Sequence, residues 1–332
     1  MHIYDDHICG QSNSLPRFGS KDENDTPKKG DACKMSKIKK ILVAYDGYPH
    51  SKTALDWAMQ IGVDNGAELL VVKVFEPIVE TFEGVYYSDA TIDEEYKQMM
   101  KTDQQKMEDL KVLCKGACKI KVQVELLKGH VVETLLKYAQ KHEIDLIAAG
   151  TKGHGIFNEI LVGSVTGSLV SLSKVPVLVV KEPPESTNLK KILVAYDGFP
   201  HSKNALNWAI DLSLSSSAQV AAVRVFDLSP LYDVYGDDSS RSMMKALEEI
   251  HQEDQKMMDE VVAIGQNRGV QVTGEIIHGN IAEGILEYAK NGNFDLIVAG
   301  TKGHSVIDEL LLGSVTRKLV SLAQIPVMVV KD

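Results

Sequence analysis

Cysteine is scarce in this chain: Cys9, Cys33, Cys114 and Cys118 are all there is in 332 residues. Four scattered thiols cannot make the disulfide framework of a small secreted protein. Long apolar runs are missing too, and no stretch approaches the ~18 residues of a membrane span. Cations are outnumbered, with 36 Lys and Arg against 46 Asp and Glu, a net charge of −10. That balance argues against a nucleic-acid partner held on a broad basic face. The first residues, MHIYDDHICG, carry early acids and no apolar core, so they do not read as a secretory signal. Together these shortages point to a reduced, cytoplasmic setting, with no membrane and no nucleic acid involved.

What is present is ordinary for a globular protein: 44% hydrophobic and 25% charged residues. The length suits two domains. Residues 1–36 are polar, lack an apolar period and read as a disordered tail. The domain-like pattern starts just after Met35-Ser36-Lys37, and one hypothesis is that Met35 is the true start, with the first 34 residues an upstream extension.

An internal repeat organises the rest. KKILVAYDGYPHSKTALDWA at Lys39 returns as KKILVAYDGFPHSKNALNWA at Lys190, an offset of 151. GTKGH at Gly150 returns at Gly300, an offset of 150, so one residue is lost in the variable middle. Residues 39–75 and 127–181 share 21 of 37 and 29 of 55 positions with the second copy. The expected domains are 37–182 and 189–332, joined by a short, proline-stiffened linker at 183–188.

Within a copy, short β-branched runs alternate with amphipathic stretches. KILVAYD, residues 68–75, KIKVQVEL, DLIAAG and VPVLVV read as strands. Ser51 is placed to cap the first helix, whose inner face would be Ala54, Leu55, Ala58 and Ile61. A loop of some 16 residues from Glu76 is long enough for a lid, and a charged helix is expected from Ile92 to Cys114. The pattern predicts two tandem doubly wound α/β domains of Rossmann-like type, each with a parallel sheet. Ligands of such sheets bind beyond the carboxyl ends of the strands, where AYDG and GTKG both fall.

Two features there carry chemistry. Gly150-x2-Gly153-x9-Gly163-Ser164 recurs as Gly300-x2-Gly303-x9-Gly313-Ser314. Small residues let backbone N–H groups approach phosphate oxygens, and the following helix start favours anions. Ser164 and Thr166 add hydroxyls, and Lys152 and Lys302 add a cation. The same glycines would also serve a ligand-free strand-to-helix turn; duplication with unchanged spacing favours the cradle. No Gly-Lys-Ser/Thr ends the loop, so it is not a Walker loop. Asp46 and Asp197 close strand one, placed for ribose hydroxyls or for a divalent cation; a plain turn aspartate before glycine is the alternative.

The remaining candidates are weaker. Cys114-x3-Cys118 lacks redox spacing and has no counterpart in the second copy. His50, His201, His154 and His304 do not form a metal set. Met99, Met100, Met107, Met243, Met244, Met257 and Met258 read as core or interface packing, with a Met-rich partner groove as the alternative.

The glycine loop, the VAYDG strand end and the closing VPVLVVK together resemble the universal stress protein family, over about residues 37–332. The resemblance implies a five-stranded parallel sheet of order 3-2-1-4-5 in each copy. It implies ATP or AMP bound by Asp46, Val74, Gly150, Gly153, Gly163, Ser164, Val165 and Thr166, with Ala44, Tyr45, Gly47, Thr151 and Lys152 alongside. In the second copy these are Asp197, Val225, Gly300, Gly303, Gly313, Ser314, Val315 and Thr316, with Ala195, Tyr196, Gly198, Thr301 and Lys302. Mg would arrive with ATP, since the protein alone offers no metal set beyond Asp46 and Asp197. The family often has Ser two residues after the strand-one Asp; Tyr48 and Phe199 stand there instead. Family members pair through strand five, so the two copies are expected to face each other, with a homodimer of whole chains beyond that. A nucleotide-dependent regulator acting through an unknown protein partner is the leading reading. A slow ATPase or phosphotransferase and a ligand-free scaffold are the alternatives.

Overall fold

The computed structural model describes residues 38–76, 90–117, 119–151, 162–181, 186–227, 241–301 and 312–331. The expected N-terminal tail with Met35, residues 77–89 of the lid loop, Cys118 and half of the linker lie outside them.

The first half runs β1 (Lys40–Ala44), α1 (Pro49–Asn65), β2 (Glu68–Phe75), α2 (Ala90–Ala117), β3 (Val122–Lys128), α3 (Val131–Lys141), β4 (Leu146–Gly150), α4 (Ser164–Leu172) and β5 (Val177–Val180). The second half repeats it as β6 (Lys191–Ala195), α5 (Pro200–Ser216), β7 (Gln219–Phe226), α6 (Arg241–Asn267), β8 (Val272–His278), α7 (Ile281–Asn291), β9 (Leu296–Gly300), α8 (Ser314–Leu322) and β10 (Val327–Val330). Strand two falls on the expected residues. The charged helix is longer than expected at both ends, and strand three starts later than KIKVQVEL suggests.

Each half has the expected order, β3-β2-β1-β4-β5 and β8-β7-β6-β9-β10. The two sheets are one. β5 and β10 pair antiparallel, with Leu178 opposite Met328, and make a continuous ten-stranded sheet. All other pairings are parallel.

A parallel sheet covered on both faces needs apolar residues on both faces of its strands. In β5, Leu178 and Val180 enter one core while Val177 and Val179 enter the other. The first core takes α1, α2, α5 and α6; the second takes α3, α4, α7 and α8. Both cores run through the β5–β10 junction, so the halves share their interior. Ala54, Leu55, Ala58 and Ile61 are buried on α1 as expected. On the charged helices, Met107 and Met258 are core residues, whereas Met99 and Met244 are exposed. Cys114 is buried on α2.

The lost residue can now be located. Lys73 on β2 meets Asp103 on α2 at 2.7 Å, and Arg224 meets Asp254 at 3.2 Å, both partners still offset by 151. Leu69 pairs with Val122 and Val220 with Val272, so by strand three the offset is 150. The deletion falls between Asp103 and Val122, in the second half of α2 or its connection to β3, away from the carboxyl ends of the strands.

Candidate functional site

Strand β1 has β2 on one side and β4 on the other. The chain leaves β1 toward α1 on one face of the sheet and reaches β4 from α3 on the other face. The crevice of a doubly wound sheet opens where the connections diverge in this way.

Asp46 lies two residues beyond β1 and its carboxylate shapes the exit. Oδ1 accepts from the Tyr48 N–H at 2.9 Å, closing an Asx turn. Gly47 sits at φ +93° and Gly198 at +84°, a region that a Cβ disfavours. Ser51 is not the helix cap: α1 begins at Pro49, with Tyr48 at the N-cap and no side-chain cap. One turn in, the Ser51 hydroxyl reaches back into the loop instead. It accepts from the N–H of Asp46 at 3.3 Å and of Gly47 at 3.2 Å, and its oxygen lies 2.6 Å from Asp46 Oδ1 and 3.0 Å from the Tyr48 carbonyl oxygen, the two acceptors within reach of its one proton. In the second half Phe199 N–H donates to Asp197 Oδ1 at 3.1 Å, and Ser202 bridges the Asp197 N–H and the Phe199 carbonyl. Each aspartate thus commits Oδ1 to its own turn. Among the described residues neither Oδ2 has a hydrogen-bond partner.

The end of β2 supplies a main-chain pair. Tyr45 N–H donates to the Val72 carbonyl at 2.9 Å, and Gly129 N–H to the Phe75 carbonyl on the opposite side. Successive residues alternate, so Val74 turns its N–H and C=O toward β1. Strand β1 has already ended, its last register pair being Ala44 with Val72. Among the described residues the N–H and C=O of Val74 have no partner, and they line the crevice. The second half reproduces this at Val225: Tyr196 N–H donates to Val223 and Gly279 N–H to Phe226, with Ala195 and Val223 the last pair.

The glycine loop divides its labour. A Cβ on Gly150 would stand 2.6 Å from the His50 carbonyl carbon and 2.7 Å from its oxygen; on Gly300 it would stand 2.8 Å from both atoms of His201. The first glycine of each motif is thus demanded by the helix α1 or α5 crossing the strand end. Gly163 N–H is bound to the Thr151 carbonyl at 2.6 Å, and Gly313 N–H to Thr301 at 2.8 Å. Thr166 Oγ1 donates to the Gly150 carbonyl at 2.5 Å and Thr316 to Gly300 at 2.7 Å. These threonine hydroxyls staple the helix to the strand, so the expectation that Thr166 offers its hydroxyl to a ligand is corrected. The backbone remains. The first helical bond of α4 is Gly167 N–H to Gly163, and that of α8 is Arg317 N–H to Gly313. The N–H groups of Ser164, Val165 and Thr166, and of Ser314, Val315 and Thr316, have no acceptor among the described residues. They form an anion-attracting helix start. Lys152, Gly153, Lys302, Gly303, His154 and His304 lie outside the described residues.

Tyr45 lines the same strand end. Burial first, then the nearby Cys114 thiol and Asp46 carboxylate, push its phenol up to about 12; burial raises Tyr196 in the same direction. Both stay neutral phenols. Among the described residues no group of His, Cys, Asp and Glu is gathered to hold a metal. Sequence reasoning missed Ser51 and Ser202 as loop organisers and the His50–Gly150 contact. Their signal was the twice-present P-H-S, whose spacing from the aspartate is fixed at five residues.

A carboxylate oxygen, a main-chain donor–acceptor pair and a row of free N–H groups on three neighbouring strand ends form a site for a polar, anionic small molecule. A family model described as the universal stress protein family matches residues 37–181 and again residues 188–331. A universal stress protein of Mycobacterium tuberculosis is 26% identical over 309 residues, covering 88% of this chain and 94% of that one. One of Methanocaldococcus jannaschii is 34% identical over 142 residues, covering 43% of this chain and 82% of that one. The crystal structure of a universal stress protein from Archaeoglobus fulgidus has the same fold, with a TM-score of 0.62 and 22% identity, covering 88% of this chain and 98% of that one. With the family matched in both halves, this chain belongs to the universal stress protein family, as a tandem member.

Proposed function

We propose that each half binds one adenine nucleotide, ATP or AMP, and that its occupancy regulates a stress response through a protein partner. The observation that carries this reading is the layout of unpaired groups. Val74 main chain, Asp46 Oδ2 and the α4 N–H groups follow one another across β2, β1 and β4. Two strand spacings make that span ~10 Å, about the reach from a purine through its ribose to the first phosphates. The purine edge takes the donor and acceptor of Val74, the ribose hydroxyls take Asp46, and the phosphates take Ser164, Val165 and Thr166 N–H. Lys152 and Gly153 complete the phosphate loop, and a divalent cation such as Mg enters with ATP. The second half assigns the same roles to Val225, Asp197, Ser314, Val315, Thr316, Lys302 and Gly303. Domain limits of 37–182 and 189–332, a cytoplasmic setting and a homodimer of whole chains belong to the same proposal. No described helix is long and apolar enough to cross a membrane.

Native mass spectrometry of the purified chain tests it. Two adenine nucleotides per chain are expected, and Gly153→Val or Gly303→Val should each remove one. A chain that neither carries nor takes up ATP or AMP would overturn the proposal.

A further inference from the structure

The antiparallel β5–β10 junction sends the residue after each of these strands across to the other half. Lys181 follows β5. Its ammonium donates to the carbonyl of Ser321 on α8, the anion-facing helix of the second half. Lys331 follows β10, and its Nζ donates to the carbonyl of Ser171 on α4 of the first half at 2.9 Å. Ser171 and Ser321 are the penultimate residues of their helices. Their carbonyls belong to the last four, which a helix leaves without an internal partner.

The main chain of each lysine is anchored in its own half. The Lys181 carbonyl accepts from His50 Nδ1 in the first turn of α1, and the Lys331 carbonyl from Asn204 Nδ2 on α5. His50 is the residue that closes against Gly150. Lys181 therefore spans from the rim of its own crevice, and Lys331 from the helix that borders its own crevice, to the far end of the helix that serves the other crevice. Both lysines carry both links, so the arrangement is a property of the fold and not of one side chain.

A helix of nine residues is ~13 Å long. Its free N–H groups face the crevice, and a cation at its C-terminus complements the dipole that those groups project. The ammonium also fixes the end from which the helix would swing.

We propose that the two lysines are positioning residues acting in trans: Lys331 sets α4 for the nucleotide of the first crevice, and Lys181 sets α8 for that of the second. This rests on the nucleotide reading given above. Each site is then incomplete without the opposite half, which gives a physical reason for the two copies being held in one chain.

Isothermal titration with ATP on full-length one-site chains tests it. In a Gly303→Val chain, which keeps the first site, K331M should weaken ATP about three- to tenfold, while K181M should change it less than twofold. In a Gly153→Val chain the order should reverse. K331R and K181R should restore affinity in their respective chains, and thermal melts identify any variant that fails to fold. Hydrogen exchange gives a readout without nucleotide: the last turn of α4 should exchange faster in K331M than in K181M. Lysine variants that weaken the site of their own half, both sites alike, or neither would overturn the inference while leaving the nucleotide reading intact. A parent chain that takes up no ATP would remove both.

Discussion

On α1 of the first half, Asp56 holds a buried carboxylate oxygen with no hydrogen-bond partner among the described residues; the second half has Asn207 at the equivalent place on α5. Ser51 reaches Asp46 Oδ1 at 2.6 Å in the first half, while among the described residues Ser202 makes no bond to the Asp197 carboxylate and joins instead the Asp197 N–H and the Phe199 carbonyl. After the first turn of the anion-facing helix, the first half has Gly167 and Ser168 where the second has Arg317 and Lys318, and the Arg317 guanidinium bends back to the Leu312 carbonyl at 3.4 Å. The main-chain features of the two crevices nonetheless coincide: a glycine at positive φ, an open Val at the end of strand two, a glycine under a histidine, and free N–H groups at a helix start. Main-chain geometry is common to the halves, and the charges around it are not. A crevice that relies on backbone groups tolerates drift in side chains, because N–H and C=O are supplied by any sequence that keeps the path.

The largest effect should come from challenging the shared part. G150A and G300A each drive a Cβ into the backbone of a histidine, where relief requires moving a helix. Each should cost about 2–3 kcal/mol, as overpacking does, and the two should agree within error in urea titrations. A large cost in one half alone would break the equivalence.

The next effect should separate the halves. Burial lifts Asp56 from an ordinary 3.8 to about 6. The native state therefore keeps a proton that the unfolded chain gives up, and stability falls as pH rises from about 4 to about 6, then stays lower. D56N should stabilise the chain by ~1–2 kcal/mol at pH 7.5, after discounting for partial exposure, and by almost nothing at pH 4. N207D should do the reverse. Thermal melts at the two pH values decide it, and a D56N gain that is equal at both would refute the burial argument.

The smallest effect concerns the loop serines. S51A removes a bond to the proposed ribose-binding carboxylate, so ATP affinity at the first site should drop about threefold. S202A should leave the second site nearly unchanged. Equal responses in one-site chains would show that the extra bond to Asp46 carries no weight.

Much of this was legible in the residues. The alternation of β-branched runs with helical periods marked a parallel, doubly wound sheet, because strands buried on both faces must be apolar throughout. The buried face of α1 was read correctly from Ala54, Leu55, Ala58 and Ile61. Ser51 was misread because a serine at a helix start usually caps it; here Pro49 opens the helix and leaves the hydroxyl free to serve the loop behind. Thr166 was misread for a related reason: a hydroxyl beside a phosphate loop looks like a donor, yet the nearest acceptor is the carbonyl of the strand it follows.

By itself the sequence determined the repeat, the class of fold and the strand ends that carry the candidate site, since these follow from apolar period and from glycine spacing along the chain. Only the tertiary structure decided which glycine answers to packing, which main-chain groups stay open, and that Lys181 and Lys331 cross to the opposite half. Those depend on which of two paired strands ends first and on which way the two sheets meet, and these are relations across space, between β1 and β2 in the one case and between strands as far apart in the chain as Leu178 and Met328 in the other.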